Sequence, residues 1–284
     1  MKKVMKSVGL WLLALLLTLV TLVYQRLTGP TYPVSGEVTV AGEVLEYELA
    51  RSHGRVDDPK YGKDHMVRIP APPEGVDGVL YWKRLGVDEP FTPKMMFRSG
   101  DEMLGTLPAM PPAGKVVYHI ELIEPDGSHV GLPGGEETIT LRFKDPEPGW
   151  ILIPHIIAMF LALLFGIRAL IEVFTGENMK VAAWGTLIFL FVGGMVLGPL
   201  LQKAAFGDYW TGWPFGGDVT DNKLALAFIA WVVAVWRLSV VENQRKARVF
   251  VVIACLVLFS IFLIPHSLGG STFNYETGSV DTGL

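Results

Sequence analysis

Cysteine and charge are what this sequence has least of. Its single thiol, Cys255, has no partner for an intramolecular disulfide, so any exported part of the chain must stand on its hydrophobic core alone. One cysteine also excludes a zinc site built from four cysteines, or from two cysteines and two histidines. Charged residues make up 18% of the chain, below the roughly one quarter usual in soluble proteins. The deficit is local, because charge nearly vanishes from five segments and is ordinary between residues 36 and 148. A net charge of −4, with no basic patch long enough to follow a phosphate backbone, points away from nucleic acid as a partner. Catalytic signatures are missing as well. There is no Walker loop, no dinucleotide fingerprint, no His-Glu-x-x-His and no nucleophile elbow, and nothing in the spacing brings Ser, His and Asp together.

What the sequence has instead is long apolar runs. The first covers residues 8–24, preceded by Lys2, Lys3 and Lys6 and closed by Gln25-Arg26. It is longer than the apolar core of a cleaved signal peptide, and no small-x-small site follows it, so an uncleaved signal anchor is expected. Further runs cover residues 150–173, 181–201, 224–236 and 249–264. Crossing the hydrocarbon takes about 20 helical residues. The last two runs reach that length once their ends, from 222 to 240 and from 247, are included; a re-entrant fourth segment is the alternative.

Basic residues set the orientation, since short cytoplasmic loops collect Lys and Arg. Lys2, Lys3 and Lys6 precede the first run, Arg168 and Lys180 flank the turn between the second and third, and Arg237, Arg245, Lys246 and Arg248 fill the turn between the fourth and fifth. With five spans all three groups share one face. The expectation is a multi-pass protein of a bacterial-type inner membrane, with its N-terminus cytoplasmic and residues 30–148 and the C-terminus on the periplasmic side.

Between Pro33 and Phe143 runs give way to alternation. Residues 34–40, 43–49, 78–84, 115–122 and 137–143 read as strands of period two, separated by Gly, Pro and Asp clusters, and shorter strands are expected at 66–69, 95–98 and 102–107. Asp126-Gly127 fits a hairpin turn. Seven or eight short strands in about 110 residues suggest a two-sheet sandwich. The predicted organisation is therefore a signal-anchor helix at 1–29, an extracytoplasmic β-sandwich at 30–148 and a four-helix membrane domain at 149–266. An ordered outer loop at 202–222 belongs to the membrane domain, and a polar outer tail at 267–284 is expected to be mobile.

The stretch Leu107-Pro108-Ala109-Met110-Pro111-Pro112-Ala113-Gly114-Lys115-Val116-Val117-Tyr118-His119-Ile120 resembles the late strands of fibronectin-type-III and immunoglobulin-like modules, in which a Pro-Ala-Gly corner leads into a strand with a buried Tyr. The likeness covers about 25 residues. It implies an interaction or scaffolding role rather than catalysis, by analogy of fold. No family is identified for the membrane half.

Chemistry, if there is any, is expected in an outer polar layer. Ile153-Pro154-His155 opens the second span and Ile264-Pro265-His266 closes the fifth, which puts two imidazoles at one membrane boundary. Ionisable groups near membrane depth are costly and point to function. His155 and His266 are the candidate ligands for a haem or a metal, against the plainer reading of two interfacial side chains bonded to backbone or headgroup. The segment 206–223 combines five aromatics, four glycines and three aspartates. Tyr209, Trp210 and Trp213 suit the interface, and Asp218 and Asp221 are candidates to orient an imidazole. The plainer alternative makes Thr220 or Asp221 a helix cap, with Lys223 snorkelling. Residues 52–65 bring His53, His65 and several Asp within reach of a cation but match no strong metal motif, so they read first as a loop between strands. Arg168 and Glu172, four apart, are expected to pair, with Arg168 snorkelling to the inner interface.

Together these features suggest a non-catalytic membrane subunit that docks on other membrane subunits and meets a periplasmic partner, of the kind that serves electron-transfer or photosynthetic complexes. The alternatives are a haem- or metal-binding redox protein using His155 and His266, and a small transporter or membrane enzyme.

Overall fold

A computed structural model describes residues 2–57, 62–135, 137–176, 179–241, 244–264 and 270–282. The chain divides into two units: a helical one, Met1–Pro30 with Glu147–Gly270, and a β unit, Thr31–Pro146 with Ser271–Asp281.

In the helical unit, α1 (Lys2–Thr28) is followed, after the β unit, by α2 (Gly149–Thr175), α3 (Met179–Leu190), a wide π turn (Phe191–Leu197), α4 (Gly198–Phe206), α5 (Val219–Val240) and α6 (Gln244–Leu263). Five helices among the described residues are long and apolar enough to cross a membrane, the third running unbroken from Met179 to Phe206 through the π turn. The chain is a multi-pass membrane protein in that sense.

Small residues let these helices meet. A Cβ at Gly166 of α2 would lie 2.5 Å from Leu258 Cδ2 of α6, and Ala162, Ala183, Ala227, Ala234, Ala247 and Ala254 are all buried in one core with Trp231. Between apolar helices in lipid, such close backbone approach is a main source of attraction. Helix α1 is packed far less. Of its described side chains only Ala14 and Thr18 are fully buried, and Trp11 meets Phe165 edge-on at 5.2 Å, while Leu12, Leu13, Leu16, Leu17, Leu19, Val20 and Val23 stand exposed.

The β unit holds strands β1 (Val34–Val40), β2 (Glu43–Leu49), β3 (Ser52–Gly54), β4 (His65–Pro70), β5 (Asp77–Arg84), β6 (Thr92–Met95), β7 (Phe97–Ser99), β8 (Glu102–Leu107), β9 (Lys115–Ile123), β10 (His129–Leu132) and β11 (Ile139–Lys144). One sheet runs β3-β11-β9-β5-β6 with β10 also on β9; β1-β2 and β4-β8-β7 form two more. Alternation places Val116, Tyr118, Ile120 and Leu122 of β9 on a fully buried face, where they share one core with Leu49, Val67, Ile69, Leu80, Leu141 and Phe143. Tyr118 is buried to the hydroxyl, which donates to Ala50 O at 2.8 Å. Apolar burial pushes its phenol well above the usual range.

Several elements depart from the sequence expectation: His129–Leu132 is an additional strand, and the single strand expected at 95–98 is divided into Thr92–Met95 and Phe97–Ser99. Ser52–Gly54, too short to show a period, pairs in parallel with β11. And the tail expected to be mobile forms β12 (Ser271–Asn274) and β13 (Ser279–Thr282), which belong with the β unit. Phe273 N–H donates to Ala113 O at 3.0 Å, Lys115 Nζ to Thr272 Oγ1 at 2.5 Å, and the buried Arg142 donates to Ser271 O at 3.0 Å. The pairing of β3 with a distant strand, and the bonds that tie the β12-β13 hairpin to Ala113, Lys115 and Arg142, leave no local pattern to read. Residues 267–269, 283 and 284 of that tail lie outside the described residues.

Candidate functional site

The polar layer expected at one end of the bundle starts at the π turn. Pro199 has no N–H, and in a regular helix its ring would press on the carbonyl four residues back. The turn before it widens, so that Gly198 N–H reaches Gly193 O, five residues back. Such single π turns often mark functional positions. Gly193 also packs closely on α2: a Cβ there would lie 2.9 Å from Ala158 Cβ and 3.1 Å from Met159 N. His155, one turn earlier on α2, sends Nδ1 to Gly193 O at 2.8 Å. A carbonyl only accepts, so Nδ1 carries the proton and the lone pair is on Nε2. His266, its proposed companion, lies outside the described residues.

The loop 207–218 joins α4 to α5. Gly207, at φ 95°, closes α4 with its N–H on Lys203 O. Asp218 caps α5, its Oδ1 accepting from Thr220 N at 2.8 Å and Asp221 N at 3.3 Å. The cap is thus Asp218 rather than Thr220 or Asp221. Asp221, on the first turn of α5, turns back into the loop. Its Oδ2 accepts from Thr211 N at 2.7 Å, Gly212 N at 3.0 Å and Gln202 Nε2 at 3.2 Å. Asn222 Oδ1 takes Trp213 N at 2.6 Å, and Gln202 Nε2 also reaches Thr211 Oγ1 at 2.7 Å. Only glycine fits at 212, where a Cβ would fall 2.6 Å from Asp221 Cβ. Lys223 does not snorkel: buried, it ties α5 to α6 by donating to Ile264 O at 2.8 Å.

Asp218 and Asp221 therefore fold the loop. Their partners include loop backbone, Thr211 and Gln202, while His155 is bonded to Gly193. Gln202, Thr211 and Asn222, the side chains that complete this network, carry no signal in the sequence beyond being polar. The aromatics divide. Trp210 is half-buried with Nε1 donating to Trp213 O at 3.1 Å, whereas Tyr209, Trp213 and Phe215 are 55%, 78% and 83% exposed. A loop held by this many internal bonds presents three exposed aromatic rings, that of Tyr209 with Lys203 Nζ 5.4 Å from its centre.

At the other end of the bundle Arg168 and Glu172 pair at 2.6 Å, as their spacing predicts. Arg168 does not snorkel, however. It is 3% exposed, lies 5.3 Å from the Trp11 ring of α1, and its Nε and Nη1 have no hydrogen-bond partner among the described residues. Thr175 Oγ1 donates to Glu172 Oε2 at 2.7 Å. The spans thus carry more buried charge than their hydropathy suggests, in Arg168, Glu172, Asp221 and Lys223, each bonded within the protein. Among the described residues no group of three or more His, Cys, Asp or Glu is placed to hold a metal ion.

Compared with known proteins, the chain matches no family model and no curated protein.

Proposed function

We propose that this chain is a non-catalytic integral membrane subunit that docks a partner protein at the outer membrane face. The observation that carries the reading is the division of labour in the loop 207–218. Asp218, Asp221 and Asn222 are engaged in bonds that hold the loop to α5, and Tyr209, Trp213 and Phe215 are left exposed on the resulting frame. Rigid aromatic side chains bury much area at little cost in conformational entropy, which suits them to anchor an interface.

The orientation behind this proposal puts the Lys- and Arg-rich ends of the spans in the cytoplasm. The β unit, read as an immunoglobulin-like sandwich, and the aromatic loop then lie on the periplasmic side. The thinly packed α1, with its exposed leucines and valines, offers a surface to the spans of another subunit. An electron-transfer or photosynthetic complex is the kind of assembly proposed.

Purification of the chain from its native membrane in mild detergent tests this. Further membrane proteins should co-purify in fixed ratio, and a Trp213→Ala, Phe215→Ala double variant should lose them while keeping its own expression. A chain that purifies alone and carries a visible chromophore overturns the proposal.

One geometric feature favours a second reading. His155 donates its Nδ1 proton to a backbone carbonyl, the arrangement that orients the other nitrogen of a metal-bound histidine. On this reading His155, with His266, holds a haem or a metal. Unchanged cofactor content in His155→Ala would dispose of it.

A further inference from the structure

The β unit contains a second pair of imidazoles, unrelated to the membrane layer. His53 lies on β3 in the large sheet, and His65 opens β4 in the three-stranded sheet. Their rings meet with Nδ1 facing Nδ1 at 3.1 Å. His53 Nε2 sits 3.3 Å from Lys63 O, and the His53 ring is held edge-on against the buried Phe143 at 5.4 Å.

Only one tautomer satisfies these contacts. The Lys63 carbonyl must accept, so His53 carries its proton on Nε2 and exposes a lone pair at Nδ1. His65 Nδ1–H then donates to it. Moving the His65 proton to its own Nε2, with no net change in protonation, turns a second lone pair toward the same point. From two nitrogens 3.1 Å apart, an ion bound at about 2.05 Å to each would subtend roughly 98°, between the angles of square-planar and tetrahedral sites. His53 already has the carbonyl contact that fixes a ligating histidine in place.

We infer that His53 and His65 bind a divalent transition-metal cation through their two Nδ1 atoms, across the gap between two sheets. Imidazole pairs favour copper and zinc over magnesium and calcium. Both rings are held neutral by burial, His65 down to about 4, so no proton need be displaced at pH 7. Nearby charges are largely engaged: Asp64 Oδ1 accepts from Ala109 N at 2.8 Å, and Arg68 is paired with Glu102 at 3.2 Å. The remaining coordination positions belong to water or an added ligand.

The test is titration of the full chain, purified without a histidine tag, with Cu(II) followed by electron paramagnetic resonance. One Cu(II) per chain is expected, with nitrogen couplings from two imidazoles. His53→Asn and His65→Asn should each weaken binding at least tenfold, and Zn(II) but not Mg(II) should compete. His129→Asn, at a histidine on β10 whose Nδ1 lies 3.4 Å from Glu121 Oε2, should bind as the parent does. No saturable binding, a signal from one imidazole, or loss of binding in His129→Asn overturns the inference. If a variant fails to fold, the two-imidazole signature of the unaltered chain still decides between the outcomes.

Discussion

Asp221 Oδ2 accepts the backbone N–H groups of Thr211 and Gly212 together, at 2.7 and 3.0 Å, from the first turn of a membrane-spanning helix. One carboxylate thereby fixes the middle of a twelve-residue connection (207–218) to the end of α5. Hydrogen bonds to an ionised acceptor are roughly twice as strong as neutral ones. Within a buried setting, losing the acceptor also leaves the donors unsatisfied.

Replacing that carboxylate should loosen the loop without unfolding the bundle. Asp221→Asn keeps one oxygen for the Thr211 and Gly212 N–H groups but removes the charge that strengthens both bonds, and a cost of about 2 kcal/mol is expected. Cleavage by a protease specific for aromatic sites, at Tyr209, Trp213 or Phe215, should accelerate by roughly 30-fold. Asp218→Ala, which removes the cap, should cost about 1 kcal/mol. An unchanged cleavage rate in Asp221→Asn would mean that the loop is held by something else.

The buried pair of Arg168 and Glu172 makes a different prediction. Removing one member of a buried ion pair strands the other charge, at about 3–5 kcal/mol, whereas replacing both by apolar residues is often neutral or better. Arg168 also has two guanidinium nitrogens, Nε and Nη1, without partners among the described residues, so its removal relieves a cost already present. Thermal unfolding in detergent should rank Arg168→Met and Glu172→Leu well below the parent, with the double variant above both. Additive losses in the double variant would contradict a closed pair.

How much of this was legible in the sequence depends on the range of the interaction. The five apolar helices announce themselves by composition, because lipid demands about 20 apolar residues in a row whatever else the protein does. Strands such as Val34–Val40 and Lys115–Ile123 show their period of two. The Arg168–Glu172 pair is visible because helical geometry fixes neighbours four apart. What stayed hidden was settled by contacts between distant segments. Trp11, whose ring lies 5.3 Å from the Arg168 guanidinium, is 157 positions away from it in the chain. Ser271–Asn274 pairs with Ser279–Thr282, and Ala113 and Arg142 tie that hairpin to residues more than 120 positions away. The loop 206–223 was recognisable as ordered from its unusual composition, yet the partners of its aspartates were not, since Gln202 and Thr211 look like any other polar residues.

Acid should weaken the β unit. The His65 pKa is near 4 in the folded chain against 6.5 when exposed, chiefly through burial, with His53 and Arg68 adding to it. Burial lowers His53 and His119 as well. Between those two values the unfolded chain takes up a proton that the folded chain refuses. Stability is therefore full above pH 6.5 and declines as the pH falls to about 4. After allowance for partial solvent access, about 1–2 kcal/mol should be lost by pH 5. Hydrogen exchange of the β5 and β9 amides in the full chain, corrected for the intrinsic rate, should show it, and His65→Gln should remove most of the dependence. Equal protection at pH 7.5 and 5 would refute the assignment.

Deleting residues 271–284 should destabilise the β unit rather than leave it untouched. Buried Arg142 would lose the Ser271 carbonyl, and Ala113 O would lose the Phe273 amide. A loss of about 1–3 kcal/mol is expected, read as faster exchange in β9 and β11. Unchanged protection would mean that the hairpin contributes nothing to the unit it pairs with.

The docking proposal is tested most directly by a photo-crosslinking residue placed at position 215, where the parent side chain is 83% exposed, and activated in intact native membranes. The account predicts a discrete adduct with one other membrane or periplasmic protein, weakened when Asp221→Asn loosens the loop. Adducts with lipid alone, or with cytoplasmic proteins, would contradict it.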